Sequence, residues 1–239
     1  MITANNRSGG IELMKKIYDI KAFTDNAANS LVNIISSLNE LPSLDAKKFS
    51  PENTAVVIID MVNGFAKCGA LSSERVMEII PDIENLLSKF KDFTKVFIAE
   101  GHNKNSREFN AYPEHCVLGT EEADIVSELK PFIDDKAIIC RKNSTNGFLS
   151  KQYADWLMKN PQITNLIVVG DCTDLCISQF CLTQVCFWHE RDIDARVIIP
   201  VCDIETYNLD ANNHNADLMN IFALYNMQLN GVELVSEIK

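Results

Sequence analysis

The chain contains no run approaching the roughly 18 apolar residues that span a bilayer as a helix. Its first fifteen residues hold no long apolar stretch of the kind a secretory leader carries. Positive charge is scarce: 22 Lys and Arg stand against 33 Asp and Glu, a formal net charge of −11. That balance argues against nucleic acid or an anionic membrane as partner and suits a soluble cytoplasmic protein. No Gly-x-Gly-x-x-Gly follows any apolar run, which argues against a dinucleotide-binding domain. Eight cysteines are present, but no Cys-x2-Cys pair. Cys172, Cys176, Cys181 and Cys186 are separated by three or four residues, so a structural zinc site is not expected and the thiols are expected to be reduced.

What is there reads as a globular enzyme-sized chain of 239 residues, 46% hydrophobic. Residues 1–50 are polar, then patchily helical, with Leu31, Ile34, Ile35 and Leu38 on one face; they read as an N-terminal helical arm. From residue 51 to 239 apolar strands alternate with helices. Strands are expected at 55–59, 95–99, 137–140, 166–169, 196–200 and 232–235. Helices are expected at 76–90, 121–132, 152–158, after Cys176, and at 213–227. This alternation predicts an α/β fold, a Rossmann-like three-layer α/β/α arrangement on a mostly parallel sheet of about six strands. In such sheets the site lies at the carboxyl ends of the strands.

The stretch 165–180 organises the rest. Leu166–Val169 suits a strand buried on both faces, and Ile177, Phe180, Cys181 and Val185 then follow helical spacing. Cys176 therefore falls in the first turn of a helix, where free N–H groups and the helix dipole favour a thiolate. A small buried apolar role is the plain alternative for such a cysteine. The other strand ends carry Asp60, then Glu100 and His102, then Arg141 and Lys142.

At this point four segments match a family. Ile58-Ile-Asp-Met-Val-Asn-Gly-Phe65, Tyr112-Pro-Glu-His-Cys116 with Gly119-Thr120, Lys142-Asn-Ser-Thr-Asn-Gly-Phe148 and Gly170-Asp-Cys-Thr-Asp-Leu-Cys176 resemble the motifs of the isochorismatase-like cysteine hydrolases, nicotinamidase branch. The resemblance runs from about residue 54 to the C-terminus. It implies a catalytic set of Asp60, Lys142 and Cys176, and an oxyanion hole from the backbone N–H groups of Cys172 and Cys176. It also implies a cis peptide at Asp171–Cys172, aromatic walls at Phe65 and Tyr112, and a divalent metal (Zn, Fe or Mn) on Glu100, His102 and His115. Glu100 stands where the branch has Asp, Ser106 aligns with a further family histidine, and Val62 and Gly64 replace Gln and Asp. Phe148 reads as core. His189 and His214 align with nothing catalytic. The implied activity is thiol-dependent hydrolysis of a small carboxamide, nicotinamide to nicotinate and ammonia or a similar reaction, through a thioester. The alternative is a metal-free relative acting on an N-carbamoyl compound, a ureide or isochorismate. A small-molecule amide is the expected partner, and by analogy a homo-oligomer forms through the arm.

Overall fold

The structure, a computed structural model, describes residues 19–239. It divides ahead of Leu41. In the first unit, helix α1 spans Ile20–Asn39 and is capped by Asp19, whose carboxylate accepts from the Ala22 N–H at 3.0 Å. Among the described residues no helix is long and apolar enough to cross a membrane.

The second unit is built on seven strands: β1 (Thr54–Ile59), β2 (Thr94–Glu100), β3 (Ile138–Lys142), β4 (Asn165–Asp171), β5 (Arg196–Pro200), β6 (Ile204–Glu205) and β7 (Glu233–Val235). The order is β3-β2-β1-β4-β5-β7, with the short β6 beside the end of β4, and every pairing is parallel. The expected strands are all present; β6 is the addition. β1 is buried along its whole length, as its unbroken Ala-Val-Val-Ile-Ile run requires.

Helices cover both faces. Short helices α2 (Asn63–Ala66) and α3 (Glu74–Glu78) lead into α4 (Ile80–Lys89), which packs Ile80, Ile83 and Leu87 against Ile58, Phe97 and Val169. The opposite layer holds α5 (Lys151–Lys159) and α6 (Ser178–His189), joined by Tyr153 on Phe180 at 5.0 Å between ring centres, and α7 (Ala216–Leu229). Full burial of one such aliphatic or aromatic side chain contributes about 1.5–3 kcal/mol.

Two helical expectations are corrected. The 76–90 helix is broken at Ile79, because Pro81 in the first turn of α4 has no N–H to continue the preceding turn. Residues 121–132 are not a helix. They form two 3-10 turns, Glu121–Ala123 and Lys130–Phe132. Between them Ile125 bridges to Val62, and the Val126 N–H donates to the Met61 carbonyl. That backbone is drawn into sheet-like pairing, and Pro131 stops a helix from extending through it. Residues 42–46, counted with the arm from sequence, run beside the C-terminus. There Leu44 and Ala46 donate to the carbonyls of Glu237 and Lys239.

Register positions the site. Ile59 lies opposite both Ile98 and Gly170, and Glu100 lies opposite Lys142. The residues that end β1, β2, β3 and β4 therefore surround one point. Gly170 permits the approach of β4 to β1: its φ is +117°, and a Cβ there would lie 2.0 Å from the Ile59 carbonyl oxygen.

Candidate active site

Asp60 turns the chain out of β1 with φ 54°, a left-handed conformation that a non-glycine residue holds only where its surroundings enforce it. The enforcing bonds are visible. Its N–H donates to the Ile98 carbonyl at 2.8 Å, and its Oδ1 accepts from the Glu100 N–H at 2.8 Å. Its Oδ2 lies 2.8 Å from Lys142 Nζ. Lys142 ends β3 with its ammonium buried between Asp60, Glu100 and Cys176, whose Sγ is 3.6 Å away. Burial pulls the ammonium pKa down. The negative groups at Asp60, Cys176 and Glu100 outweigh that and hold it well above the usual lysine value.

Cys176 sits in a π turn, Thr173–Ile177, between β4 and α6, after a cis peptide at Asp171–Cys172. Burial pushes its thiol well above the ordinary value; Lys142 opposes this, while Asp60 and Glu100 add to it. The free site therefore favours thiol over thiolate. Asp60, Glu100 and Cys176 bring two carboxylate oxygens and the sulfur within 4.8 Å of one another. Asp171, fully buried, is a further carboxyl here, raised well above its usual pKa by burial and then by Asp60.

Glu100, His102 and His115 form a second cluster, with one donor atom of each within 4.8 Å of the others. Nε2 of His102 faces Nε2 of His115 at 3.1 Å and Glu100 Oε1 at 3.1 Å. The other ring nitrogens decide the protons. His115 Nδ1 lies 2.8 Å from the Pro113 carbonyl, which only accepts, so Nδ1 carries the hydrogen. His102 Nδ1 lies 3.2 Å from Asn143 Oδ1, an atom marked as oxygen by the Asn103 N–H that donates to it at 3.1 Å. Both Nε2 lone pairs thus point at each other and at Glu100 Oε1, which has no hydrogen-bond donor. Burial, foremost, lowers the His102 pKa, which opposes filling this gap with a proton. Two imidazoles and a carboxylate in this arrangement fit a divalent cation, since nitrogens 3.1 Å apart can both reach one ion at about 2.0–2.1 Å. Ser106 Oγ lies 3.2 Å from His102 Nδ1, so it touches the back of that ring and is not a member of the donor cluster.

A cleft opens over both clusters. Phe65 and Tyr112 line it as expected, with Phe65 5.6 Å and Tyr112 6.2 Å from the His115 ring. Cys172 and Cys176 lie at its base. Phe148 packs on Tyr153 and Phe187 and does not line the cleft. Nor do Val62 and Gly64: Val62 pairs with Ile125, and a Cβ on Gly64 would meet Cys116 Sγ at 2.4 Å. Arg141 donates to the Ala123 and Glu100 carbonyls, fastening the 121–126 segment. Sequence reasoning missed Glu108, Thr145 and Tyr207, which also line the cleft. Tyr207 follows a two-residue strand, too short to give a periodic signal.

Comparison with known proteins gives the chain a family. The isochorismatase domain family matches residues 54–226. Nicotinamidase 1 of Arabidopsis thaliana is 29% identical over 218 residues, covering 78% of this chain and 86% of its own. The nicotinamidase of Acinetobacter baylyi is 26% identical over 193 residues, covering 66% and 85%. Among solved structures, the pyrazinamidase/nicotinamidase of Streptococcus mutans superposes with TM-score 0.65 at 18% identity, covering 77% of this chain and all of that one. The zinc complex of the Pyrococcus horikoshii pyrazinamidase gives 0.62 at 21% identity, covering 77% and 98%. The chain belongs to the isochorismatase domain family, and these curated relatives are nicotinamidases.

Proposed function

We propose that the chain, a hydrolase of amide C–N bonds by its family, cleaves a small flat carboxamide, nicotinamide or a close analogue, by a thiol route. The observation that carries this reading is the Lys142 ammonium held 2.8 Å from Asp60 Oδ2 and 3.6 Å from Cys176 Sγ. Three residue types distant in sequence converge at the base of a cleft walled by Phe65 and Tyr112.

In this mechanism Cys176 is the nucleophile. Burial keeps its proton on until substrate arrives, so deprotonation and attack are coupled. Asp60 takes the thiol proton, and Lys142 offsets the negative charge of sulfur and carboxylate together. The carbonyl oxygen becomes an oxyanion facing the backbone N–H groups of Cys172 and Cys176. The C–N bond then breaks, Asp60 passes its proton to the departing ammonia, and the acyl group remains as a thioester. Water, deprotonated by Asp60, releases the acid and restores the thiol. Glu100, His102 and His115 would hold a divalent ion, Zn²⁺, Fe²⁺ or Mn²⁺, which supplies a Lewis acid for a ring nitrogen or for water. Glu100 serves both clusters, with Oε1 toward the imidazoles and Oε2 on Lys142. Burial, opposed by Lys142, pushes its carboxyl up to about 8.

Ammonia release across a panel of carboxamides, with and without chelator, tests the reading. Chelator-sensitive release from nicotinamide, abolished in Cys176→Ser, is expected. Chelator-insensitive cleavage confined to N-carbamoyl compounds or ureides would replace this reading with the metal-free alternative.

A further inference from the structure

Tyr207 lines the cleft together with Phe65 and Tyr112, and it is held there by an unusual support. Its ring stacks on His214, with centroids 4.1 Å apart and planes 10° from parallel. His214 Nδ1 lies 2.9 Å from the Tyr207 carbonyl oxygen, and Nε2 lies 2.8 Å from Asp174 Oδ2. Each ring nitrogen thus faces an oxygen that can accept. The other oxygen of Asp174 accepts from Thr206 Oγ1 at 2.6 Å. Asp174 itself belongs to the π turn that carries Cys176. One imidazole therefore ties the 206–214 segment to the nucleophile turn and sets the plane of the neighbouring phenol.

The backbone enforces the same arrangement. Leu209 and His214 exchange hydrogen bonds, Leu209 N–H to the His214 carbonyl at 2.9 Å and the reverse at 3.1 Å. Asn213 takes φ 60° to make that turn. The Tyr207 hydroxyl is pushed up to about 12, by burial first and then by Cys172 and Tyr112, so it remains a neutral donor and acceptor at the cleft. A phenol face clamped beside the nucleophile suits a flat ring better than a branched aliphatic group.

We propose that Tyr207 is a substrate-binding residue that stacks on or edges the ring of a planar heteroaromatic amide, and that His214, bridged to Asp174, is the positioning residue that holds it there. The substrate class rests on the function proposed above, and the test separates the two. Ammonia release from nicotinamide by the unaltered protein tests the reaction alone. Calorimetric binding of nicotinamide to the Cys176→Ala protein, loaded with Zn²⁺, tests the wall. In that background Tyr207→Leu is expected to weaken binding about tenfold and His214→Leu by several-fold, with Tyr207→Phe recovering most of the loss. In the active protein the loss should fall on KM for nicotinamide rather than on kcat, and KM for isobutyramide, which has no ring, should move much less. Circular dichroism melts check that each variant is folded, and Tyr207→Trp substitutes if the leucine variant is not. No turnover, with Tyr207-dependent binding, removes the reaction and keeps the wall. Binding unchanged in the Tyr207 and His214 variants, or no binding of nicotinamide at all, overturns the proposal.

Discussion

On the floor of the cleft, His102 and His115 turn their Nε2 atoms toward each other at 3.1 Å. On its rim, His214 turns both ring nitrogens toward oxygens that accept. The floor pair has its outer nitrogens fixed by Pro113 and Asn143, so its two Nε2 lone pairs are arranged to receive a cation. The rim imidazole has an oxygen acceptor at each nitrogen. The same side chain thus serves as a waiting donor in one place and a finished clamp in the other. What separates them is that the floor ring also faces a second imidazole nitrogen, whereas the rim ring faces oxygens.

The contrast can be broken from the floor upward. Lys142→Met leaves Asp60 and Glu100 buried without their counter-ion. Removing one partner of such a pair typically costs about 3–5 kcal/mol, and turnover should fall by at least about three orders of magnitude. Urea denaturation and ammonia release measure the two effects. Because Lys142 lowers the Cys176 pKa, iodoacetamide alkylation of this variant should move to higher pH; an unmoved profile would contradict the role given to the lysine.

Metal content separates the two histidine sites directly. His115→Ala should strip the divalent ion in elemental analysis, whereas His214→Leu should retain it. Equal loss in both would erase the distinction between floor and rim.

A buried carboxyl away from the cleft, Asp203, offers a pH test. Burial raises the Asp203 carboxyl from 3.8 to about 6, ahead of the repulsion from Asp82. A folded-state value above the unfolded one means a cost absent below about pH 3.8 and fully present above about pH 6. That cost is about 2–3 kcal/mol at 1.36 kcal/mol per unit. Asp203→Asn is therefore expected to stabilise the protein above pH 7 and to do nothing near pH 3.5, as read by melts at the two values. The smallest effect belongs to Asn215, whose Oδ1 accepts from the Leu218 N–H at 2.9 Å and caps α7. Asn215→Ala should cost about 1 kcal/mol, with a lower Tm but the same metal content.

The floor was readable because strand ends are readable. Runs such as 55–59 and 166–169 announce buried parallel strands, and the residue after each falls at the sheet's carboxyl edge. Asp60, Glu100 and Lys142 could be placed that way, and the spacing change after Gly170 placed Cys176 at a helix start. The 121–132 segment misled, because Ile125 and Leu129 are buried as a helix would bury them, yet the backbone between them pairs with Met61 and Val62. Tyr207 and His214 could not be found from spacing at all. Their relation depends on a loop that meets Asp174 across 40 residues for His214 and on a stack between rings seven apart. Val62 and Gly64, the departures from the family motif, lie against Ile125 and Cys116 and do not line the cleft.

The most direct test of the thiol route is to quench the protein in acid during turnover of nicotinamide and map its peptides by mass. A nicotinoyl adduct on the peptide containing Cys176, absent from Cys176→Ser and accumulating less in Asp60→Asn, is the expected result. Steady ammonia release with no acyl mass on that peptide, and turnover preserved in Cys176→Ser, would contradict the account.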